Sequence, residues 1–300
     1  AITLAIGDGA NDCNMITSAD VGVGIRGMEG LQAFNVCDYG ISQFRFLQYL
    51  LLVHGRWCYR RIAVLVNYTF YKNIVVVLPV YFLGAVSGFS GQKLYNDILY
   101  QSYNVVHSMM PIILLGILDQ DVSKKASLQH PELYRVGIRG DYMNLKVSAL
   151  WLVSGLWHAI VVFFVPYYTM TSGNVTHFDG KANDLWLLGT VVYLLVMIVV
   201  NLRALMEMYF VSWITAIGVL FSFVFWFLEQ GYFSGLFSGS VVNAELHGST
   251  QRLFSSPMII LVMLTSTCLA LSIDLQCKGI QYCLFPSELH KVQDQVLAER

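Results

Sequence analysis

The amino-acid sequence predicts a mainly α-helical membrane bundle of six transmembrane helices, preceded by a partial α/β domain. The first observation is composition: of 300 residues, 56% are hydrophobic and 12% are charged, whereas a soluble domain has about 25% charged residues. The second is distribution, because stretches such as 98–118 and 253–273 contain no Asp, Glu, Lys or Arg. The third is the alternation of short apolar runs and glycine turns near the N-terminus, which is typical of α/β structure.

The N-terminal segment is predicted to alternate strands and helices. Residues 2–6 are an apolar run typical of a buried strand, and Gly7-Asp8-Gly9 predicts a tight turn. A helix is predicted over 12–18, a second strand over 21–25 and a second helix over 28–36. Ligands of such sheets bind beyond the carboxyl ends of the strands, where Asp8 and Asp12 fall.

The hexad Gly-Asp-Gly-Ala-Asn-Asp, residues 7–12, is the chemical motif of this segment. Carboxylates are the hard oxygen ligands that Mg²⁺ prefers, and N–H groups at the start of the next helix can face a phosphate. The alternative is a solvated turn in which Asp8 serves turn geometry and Asp12 begins a helix. An Asp-Gly pair alone favours the solvated turn, whereas the complete hexad after an apolar strand favours a phosphate and magnesium site.

Membrane helices are predicted where apolar stretches reach about 20 residues, the length that crosses a bilayer core of about 30 Å. We expect residues 1–61 to form a head and a stalk, residues 62–275 to form the membrane domain and residues 276–300 to form a tail. The predicted helices are 62–84, 98–118, 147–167, 185–204, 209–229 and 255–274.

The distribution of cations predicts the orientation. If the head is cytosolic, only Lys93, Lys181 and Arg252 of the 18 Lys and Arg residues fall in far-side loops, so the positive-inside rule places the head and the tail in the cytosol. The tripeptide Asn174-Val175-Thr176 is a candidate glycosylation site on a predicted far-side loop. The net charge of −1 predicts no nucleic-acid partner.

Four polar residues of the first two membrane helices are candidates for binding a lipid headgroup. Lys72 stands about ten residues into the first helix, where a cation costs at least about 2.5–3.5 kcal/mol. It either pairs structurally with a buried acid or an interface, or faces the bundle and binds an anionic headgroup. Asn73, Asn104 and Ser108 supply hydrogen bonds to such a headgroup, although an interhelical bond is an equal alternative for Asn104.

The motifs resemble one family. GDGAND with the MI pair that follows it and VGVGI resembles the hinge motif of P-type ATPases, a branch of the haloacid-dehalogenase-like phosphotransferases. Residues 27–61 resemble the type-IV branch, the phospholipid flippases. The likeness covers essentially the whole chain and continues through FYKNI (70–74), YNVVHSMMP (103–111), LGILDQDV (115–122) and HPELYRVG (130–137).

The resemblance implies the site residues and cofactors. By this resemblance, the head is the last part of a haloacid-dehalogenase-like phosphorylation domain. The resemblance also assigns Asp8 as a Mg²⁺ ligand and places Asn11 and Asp12 around the same ion and the phosphoryl group. It implies ATP-driven movement of a phospholipid from the exoplasmic to the cytosolic leaflet through a phospho-aspartate cycle. It also implies a two-helix accessory glycoprotein subunit, and residence in the plasma membrane or in Golgi or endosomal membranes.

The family's D-K-T-G-T motif, nucleotide domain, actuator domain and first four helices do not occur in these 300 residues. We therefore expect this chain by itself not to hydrolyse ATP. One alternative is a catalytically inactive, truncated membrane scaffold, which a native product of this size would favour.

The other alternative is a cation-transporting P-type ATPase. Many cation pumps carry Asn, an Asp four residues later and a Pro three residues after that, where this sequence has Asn104, Ser108 and Pro111. We find carboxylates of the helices only at Glu207 and Glu229, near predicted ends. Desolvated Ca²⁺ or Na⁺ requires more charged oxygen ligands than these, so the sequence favours lipid as the substrate.

Overall fold

The structure, a computed structural model, describes residues 2–27, 30–171, 183–236, 243 and 246–298. The candidate glycosylation site at Asn174 lies outside the described residues. The chain divides into two compact units, of which the first comprises Ala1–Cys58 and Val122–Arg135 and the second Tyr59–Asp121 and Val136–Arg300.

The first unit contains a small parallel sheet. Its three strands lie in the order β1-β2-β3, with Leu4 beside Val21 and Val23 beside Tyr39. The elements are β1 (Leu4–Gly7), a 3-10 turn (Ala10–Asp12), α1 (Cys13–Ser18), β2 (Val21–Ile25), α2 (Gln32–Val36), β3 (Tyr39–Ile41), a 3-10 turn (Phe44–Phe46), α3 (Leu47–Tyr49), a π-helix (Leu50–Gly55), α7 (Lys124–Gln129) and a 3-10 turn (Pro131–Tyr134).

The second unit is helical. Its elements are α4 (Arg56–Val86), which begins at the end of the first unit, α5 (Asp97–Ser102), a π-helix (Tyr103–His107), α6 (Met109–Leu118), α8 (Arg135–Arg139), α9 (Leu145–Thr171), α10 (Leu185–Glu207), α11 (Trp213–Phe233), α12 (Ser249–Ser255), α13 (Pro257–Leu284) and α14 (Glu288–Ala298). Six helical stretches of the described residues are long and apolar enough to cross a membrane, the number that the sequence predicts.

Helix α10 lies at the centre of the second unit, which we call the membrane unit. Of its most apolar stretch 78% is buried, against 28% to 39% in the other five, and α9 and α13 pack against it. Gly189 permits one close approach, because a Cβ there would lie 1.9 Å from the carbonyl oxygen of Leu94. A helix that is apolar on all sides is suited to this central position.

Several helix ends differ from the predicted ones because specific side chains set them. The fifth span begins at Trp213 rather than 209, since Asp119 accepts the N–H groups of Tyr209 and Phe210 and Ser212 caps α11. The last span begins at Pro257 and runs to Leu284, ten residues beyond the predicted end. Position-by-position hydropathy does not report such capping contacts.

Candidate functional site

The hexad forms the turn that follows β1. Asp12 organises it, because its Oδ2 accepts the main-chain N–H groups of Asp8 at 3.1 Å and Gly9 at 3.4 Å. Gly7 leaves room for this arrangement, since a Cβ at that position would lie 2.3 Å from the Cβ of Asp12. The Asp8 and Asn11 side chains are exposed and Asp12 is half-buried. The turn therefore presents Asp8 to solvent on a backbone that Asp12 holds in place.

The segment after β2 lies beside this turn. A Cβ on Gly27 would meet the carbonyl oxygen of Asp8 at 2.8 Å, as expected where parallel strands end at the same edge. Within the described residues there is no group of three His, Cys, Asp or Glu side chains that would hold a metal ion alone. The donors present, Asp8 and the second oxygen of Asp12, fit a Mg²⁺ that takes its other ligands from phosphate and water.

Lys72 is buried against the second span, Asp97–Leu118, in which a π-helix separates α5 from α6. Its Nζ donates to Oγ of Ser108 at 2.9 Å and lies 5.8 Å from the centre of the Tyr103 ring. The arrangement closes on itself, because the Tyr103 hydroxyl donates to the carbonyl oxygen of Lys72 at 2.9 Å and Ser108 Oγ donates to that of Tyr103 at 2.8 Å. All three residues are buried. Lys72 and Ser108 therefore do belong to one cluster, which we call the Lys72 cluster.

The two asparagine candidates lie elsewhere. Asn73 and Asn104 are both exposed, each next in sequence to a buried member of the Lys72 cluster. Successive helical residues point about 100° apart, so a neighbour in sequence does not share the face of Lys72 or Tyr103. The structure thus brings Lys72 and Ser108 together and leaves Asn73 and Asn104 outside their cluster.

The break in the second span is caused by Pro111. Pro111 has no N–H, so the carbonyl of His107 cannot receive the usual helical hydrogen bond from position 111. The preceding turn is a π-helix, and Ser108 N–H donates five residues back, to Tyr103, at 3.0 Å. This widening orients the Ser108 hydroxyl toward Lys72. Pro79, by contrast, lies inside α4, which continues through it.

Sequence reasoning missed two buried histidines, each placed between a tyrosine and a carboxylate. His107 Nδ1 lies 2.6 Å from the Tyr193 hydroxyl and its Nε2 lies 3.1 Å from Glu229. His158 Nδ1 lies 2.6 Å from the Tyr71 hydroxyl and its Nε2 lies 3.0 Å from Asp274. The available signal was the presence of ionisable residues inside apolar helices, where they are functional candidates by default.

The count of carboxylates made from the sequence was therefore wrong in one respect. Asp274, at the end of the last predicted helix, was omitted, and in the structure it lies within α13, which extends to Leu284. It accepts the Ser154 hydroxyl at 3.1 Å and lies 3.6 Å from Nε of Arg203. The carboxylate of Asp274 therefore has three polar neighbours inside the bundle: His158, Arg203 and the hydroxyl of Ser154.

A second charged cluster joins α4 to the loop after α6. The Arg60 guanidinium pairs with the Asp119 carboxylate, and both side chains are buried. Arg60 also donates to the carbonyl oxygen of Glu207 at 2.9 Å, and Asp119 Oδ1 accepts two main-chain N–H groups at 2.8 and 3.0 Å. These additional hydrogen bonds offset the cost of desolvating the two charges.

Comparison with known proteins gives one family. Residues 34–287 match the family described as phospholipid-translocating P-type ATPase, C-terminal. The matched range includes the Lys72 cluster, both buried histidines and all six candidate spans. The exposed hexad lies before it.

Relatives from a plant, a fungus and an animal align with nearly the whole chain. It is 36% identical over 294 residues to probable phospholipid-transporting ATPase 7 of Arabidopsis thaliana, with 97% of this chain and 23% of the relative aligned. It is 34% identical over 294 residues to phospholipid-transporting ATPase DNF1 of Saccharomyces cerevisiae, covering 98% and 18%. It is 36% identical over 298 residues to phospholipid-transporting ATPase IC of Mus musculus, covering 98% and 24%. The chain thus spans about a fifth of the length of the curated relatives it matches.

Proposed function

Because this chain belongs to the family of phospholipid-translocating P-type ATPases, we propose that it supplies the C-terminal membrane part of a lipid flippase. In the whole protein, ATP hydrolysis through a phospho-aspartate would move a phospholipid from the exoplasmic to the cytosolic leaflet. The head and the tail would face the cytosol, in the plasma membrane or in Golgi or endosomal membranes. A two-helix accessory glycoprotein is the proposed partner.

The observation that carries the proposal is the uncompensated charge of Lys72. Its protein partners are a neutral hydroxyl and an aromatic ring, and it forms no ion pair with a carboxylate of the described residues. A buried cation without a counter-charge is costly. The anionic phosphate of a lipid headgroup would supply that charge, with Ser108 as a hydrogen-bonding group beside it. Asn73 and Asn104 would contact a headgroup only from the exposed faces of α4 and the π-helix.

The head is proposed to be the end of a haloacid-dehalogenase-like phosphorylation domain. Asp8 would bind Mg²⁺, and Asp12 would hold the turn through its two N–H contacts. Asn11 would donate its amide to phosphoryl oxygens. When bound, Mg²⁺ would neutralise charge on the transferred phosphoryl group.

A cation pump is less compatible with the Lys72 cluster. Ser108 supplies a hydroxyl at the position where many cation pumps have a carboxylate, and its neighbour is itself a cation. A further positive ion beside Lys72 would be repelled. We therefore favour lipid over Ca²⁺ or K⁺ as the transported species.

The test is ATPase activity of the full-length protein that carries this chain, reconstituted in vesicles with single phospholipids added. We expect Lys72→Met to lower lipid-stimulated turnover by about tenfold, equivalent to losing about 1.4 kcal/mol of lipid interaction. Lys93→Met is the matched control, because Lys93 is exposed and pairs with Asp97 on the surface.

Stimulation by Ca²⁺ or K⁺ in place of lipid would favour the cation pump and contradict the proposal. A native product of about 34 kDa, detected with an antibody to the tail, would favour the inactive scaffold. Full lipid stimulation in Lys72→Met would exclude the role of Lys72.

A further inference from the structure

The surroundings of His107 determine where its protons lie. The ring is fully buried, and the Glu229 side chain that faces its Nε2 is 9% exposed. At the other nitrogen stands the Tyr193 hydroxyl, 2.6 Å from Nδ1. Both ring nitrogens therefore have a polar neighbour, and the hydrogen bonds made by those neighbours constrain the ring.

The Tyr193 hydroxyl places a hydrogen on Nδ1. This hydroxyl donates its single proton to the main-chain carbonyl oxygen of Leu99 at 2.7 Å, and a carbonyl oxygen only accepts. The Tyr193 oxygen is then the acceptor for Nδ1–H of His107. On the far side of the pair, the Ser102 hydroxyl donates to Oε1 of Glu229 at 2.5 Å, which leaves Oε2 to face the ring.

These hydrogen bonds leave two buried atoms, Nε2 of His107 and Oε2 of Glu229, without a hydrogen-bond partner in the described part of the chain. A neutral imidazole with its hydrogen on Nδ1 has a lone pair at Nε2, and an ionised carboxylate has lone pairs at Oε2. Two such acceptors 3.1 Å apart repel each other, and the ionised carboxylate would remain as an unpaired charge in the membrane interior. One added proton removes both costs, as imidazolium beside carboxylate or as imidazole beside protonated carboxyl.

We propose that His107 and Glu229 form a proton-binding site inside the membrane unit, where they hold one proton more than a neutral histidine and an ionised glutamate. The ligand is a proton taken from water, and its uptake changes the charge of the pair from −1 to 0. The hydrogen bonds around the pair call for this proton whatever substrate the protein transports.

The surroundings of the pair include three further titratable side chains, Tyr95, Tyr103 and Lys72, and one apolar ring. The rings of Tyr95 and Tyr103 contact the Tyr193 ring at 5.6 and 6.2 Å between centroids. Lys72 on α4 donates to Ser108, the residue that follows His107. Helix α11 adds the Phe225 ring, 5.9 Å from that of His107. The ammonium of Lys72 is directed to Ser108, so Glu229 has His107 as its ionic partner.

The second buried histidine shows the contrasting arrangement. The Tyr71 hydroxyl, 2.6 Å from Nδ1 of His158, has no other acceptor among the described residues. It therefore donates to Nδ1, which leaves the hydrogen of a neutral ring on Nε2, 3.0 Å from the Asp274 carboxylate. Arg203 lies 3.6 Å from the same carboxylate and compensates its charge. This site is complete without an added proton, so the extra proton is specific to His107 and Glu229.

The test is infrared difference spectroscopy of the full-length protein between about pH 5 and pH 8, the range in which imidazole changes charge. We expect the wild type to show one protonated carboxyl or imidazolium band that is lost in Glu229→Gln. Labelling histidine with nitrogen-15 shifts the band only if it is imidazolium. His130→Asn, which alters an exposed histidine–glutamate pair, is expected to keep the band.

A second variant serves if Glu229→Gln does not fold. Ser102→Ala removes only the hydrogen bond to Oε1, and we expect it to shift the Glu229 carboxyl or carboxylate frequency. If the wild type shows only neutral imidazole and ionised carboxylate at every pH in this range, or if Ser102→Ala leaves all bands unshifted, the proposal is overturned.

Discussion

Asn201 donates from its Nδ2 to the main-chain carbonyl oxygen of His107 at 3.2 Å, the carbonyl that Pro111 deprives of its helical partner. Both residues are fully buried. An unsatisfied carbonyl in an apolar interior costs about 1–3 kcal/mol. The Asn201 side chain on α10 therefore stabilises the break in the second span, and this break places Ser108 beside Lys72.

Replacing Asn201 is expected to lower the stability of the membrane unit. Asn201→Leu should lower the free energy of unfolding by about 1–3 kcal/mol, which thermal inactivation of the full-length protein in detergent would register as a lower midpoint. Asn73→Leu, at an exposed helical position, should change it by no more than about 0.5 kcal/mol. Equal midpoints for the two variants would show that Asn201 does not support the break.

Asp8→Asn tests the magnesium role of the hexad. The exchange keeps the size of the side chain but removes the charge that would bind Mg²⁺. We expect phosphoenzyme turnover of the full-length protein to fall by at least about tenfold, equivalent to about 1.4 kcal/mol, and to require more Mg²⁺. Asp20→Asn is the control in the same unit, since Asp20 bonds to Thr3 away from the hexad. Normal turnover of Asp8→Asn would remove Asp8 from the site.

Gly7→Ala tests the close approach of β1 to Asp12. The added Cβ would lie 2.3 Å from the Cβ of Asp12, so the backbone must shift at a cost of about 1–3 kcal/mol. We expect faster hydrogen exchange at Asp8 and Gly9, whose N–H groups Asp12 accepts. Gly279→Ala in α13 meets nothing within 4 Å and should leave exchange in this turn unchanged. Unaltered exchange in Gly7→Ala would contradict the tight turn.

The buried ion pair of Arg60 and Asp119 should contribute more to stability than an exposed one. Asp119→Ala leaves a buried guanidinium and two main-chain N–H groups without their acceptor, and should cost about 3–5 kcal/mol. Asp97→Ala removes an exposed partner of Lys93 and should cost no more than about 1 kcal/mol. Thermal midpoints of the two variants measure the contrast, and similar midpoints would contradict it.

Asp20 is expected to make the start of β1 sensitive to acid. The main-chain N–H and the hydroxyl of Thr3 both donate to its Oδ2, at 2.8 and 2.9 Å, and these bonds hold the pKa of Asp20 below its ordinary value of 3.8. The stabilisation is therefore present above pH 3.8 and lost as pH falls through the lower folded value. Protection of the Thr3 amide should decline in that range in the wild type. In Asp20→Asn this decline should be absent, and a decline of equal size there would exclude Asp20 as its origin.

Much of the fold could be predicted because its signals are local. Apolar length predicts six spans, and the order of strands, glycine turns and helices predicts an α/β head, in which the structure pairs β1 and β2 in parallel. The structure describes only a three-stranded sheet with short helices for the head. Lys72 and Ser108 were both candidates for binding a headgroup, but neither the hydrogen bond between them nor the exposure of Asn73 and Asn104 was predicted.

The amino-acid sequence by itself determined which segments are apolar enough for a membrane, where Pro111 interrupts a helix, and which residues form the turn after β1. Only the tertiary structure decided which buried charges have a partner of opposite charge and which residue supplies it. His107 and Glu229 are far apart in the chain, as are His158 and Asp274, and no spacing rule links residues on different helices. Their pairing follows from helix packing around α10, because a polar group inside the bundle must find its partner on whichever helix lies beside it.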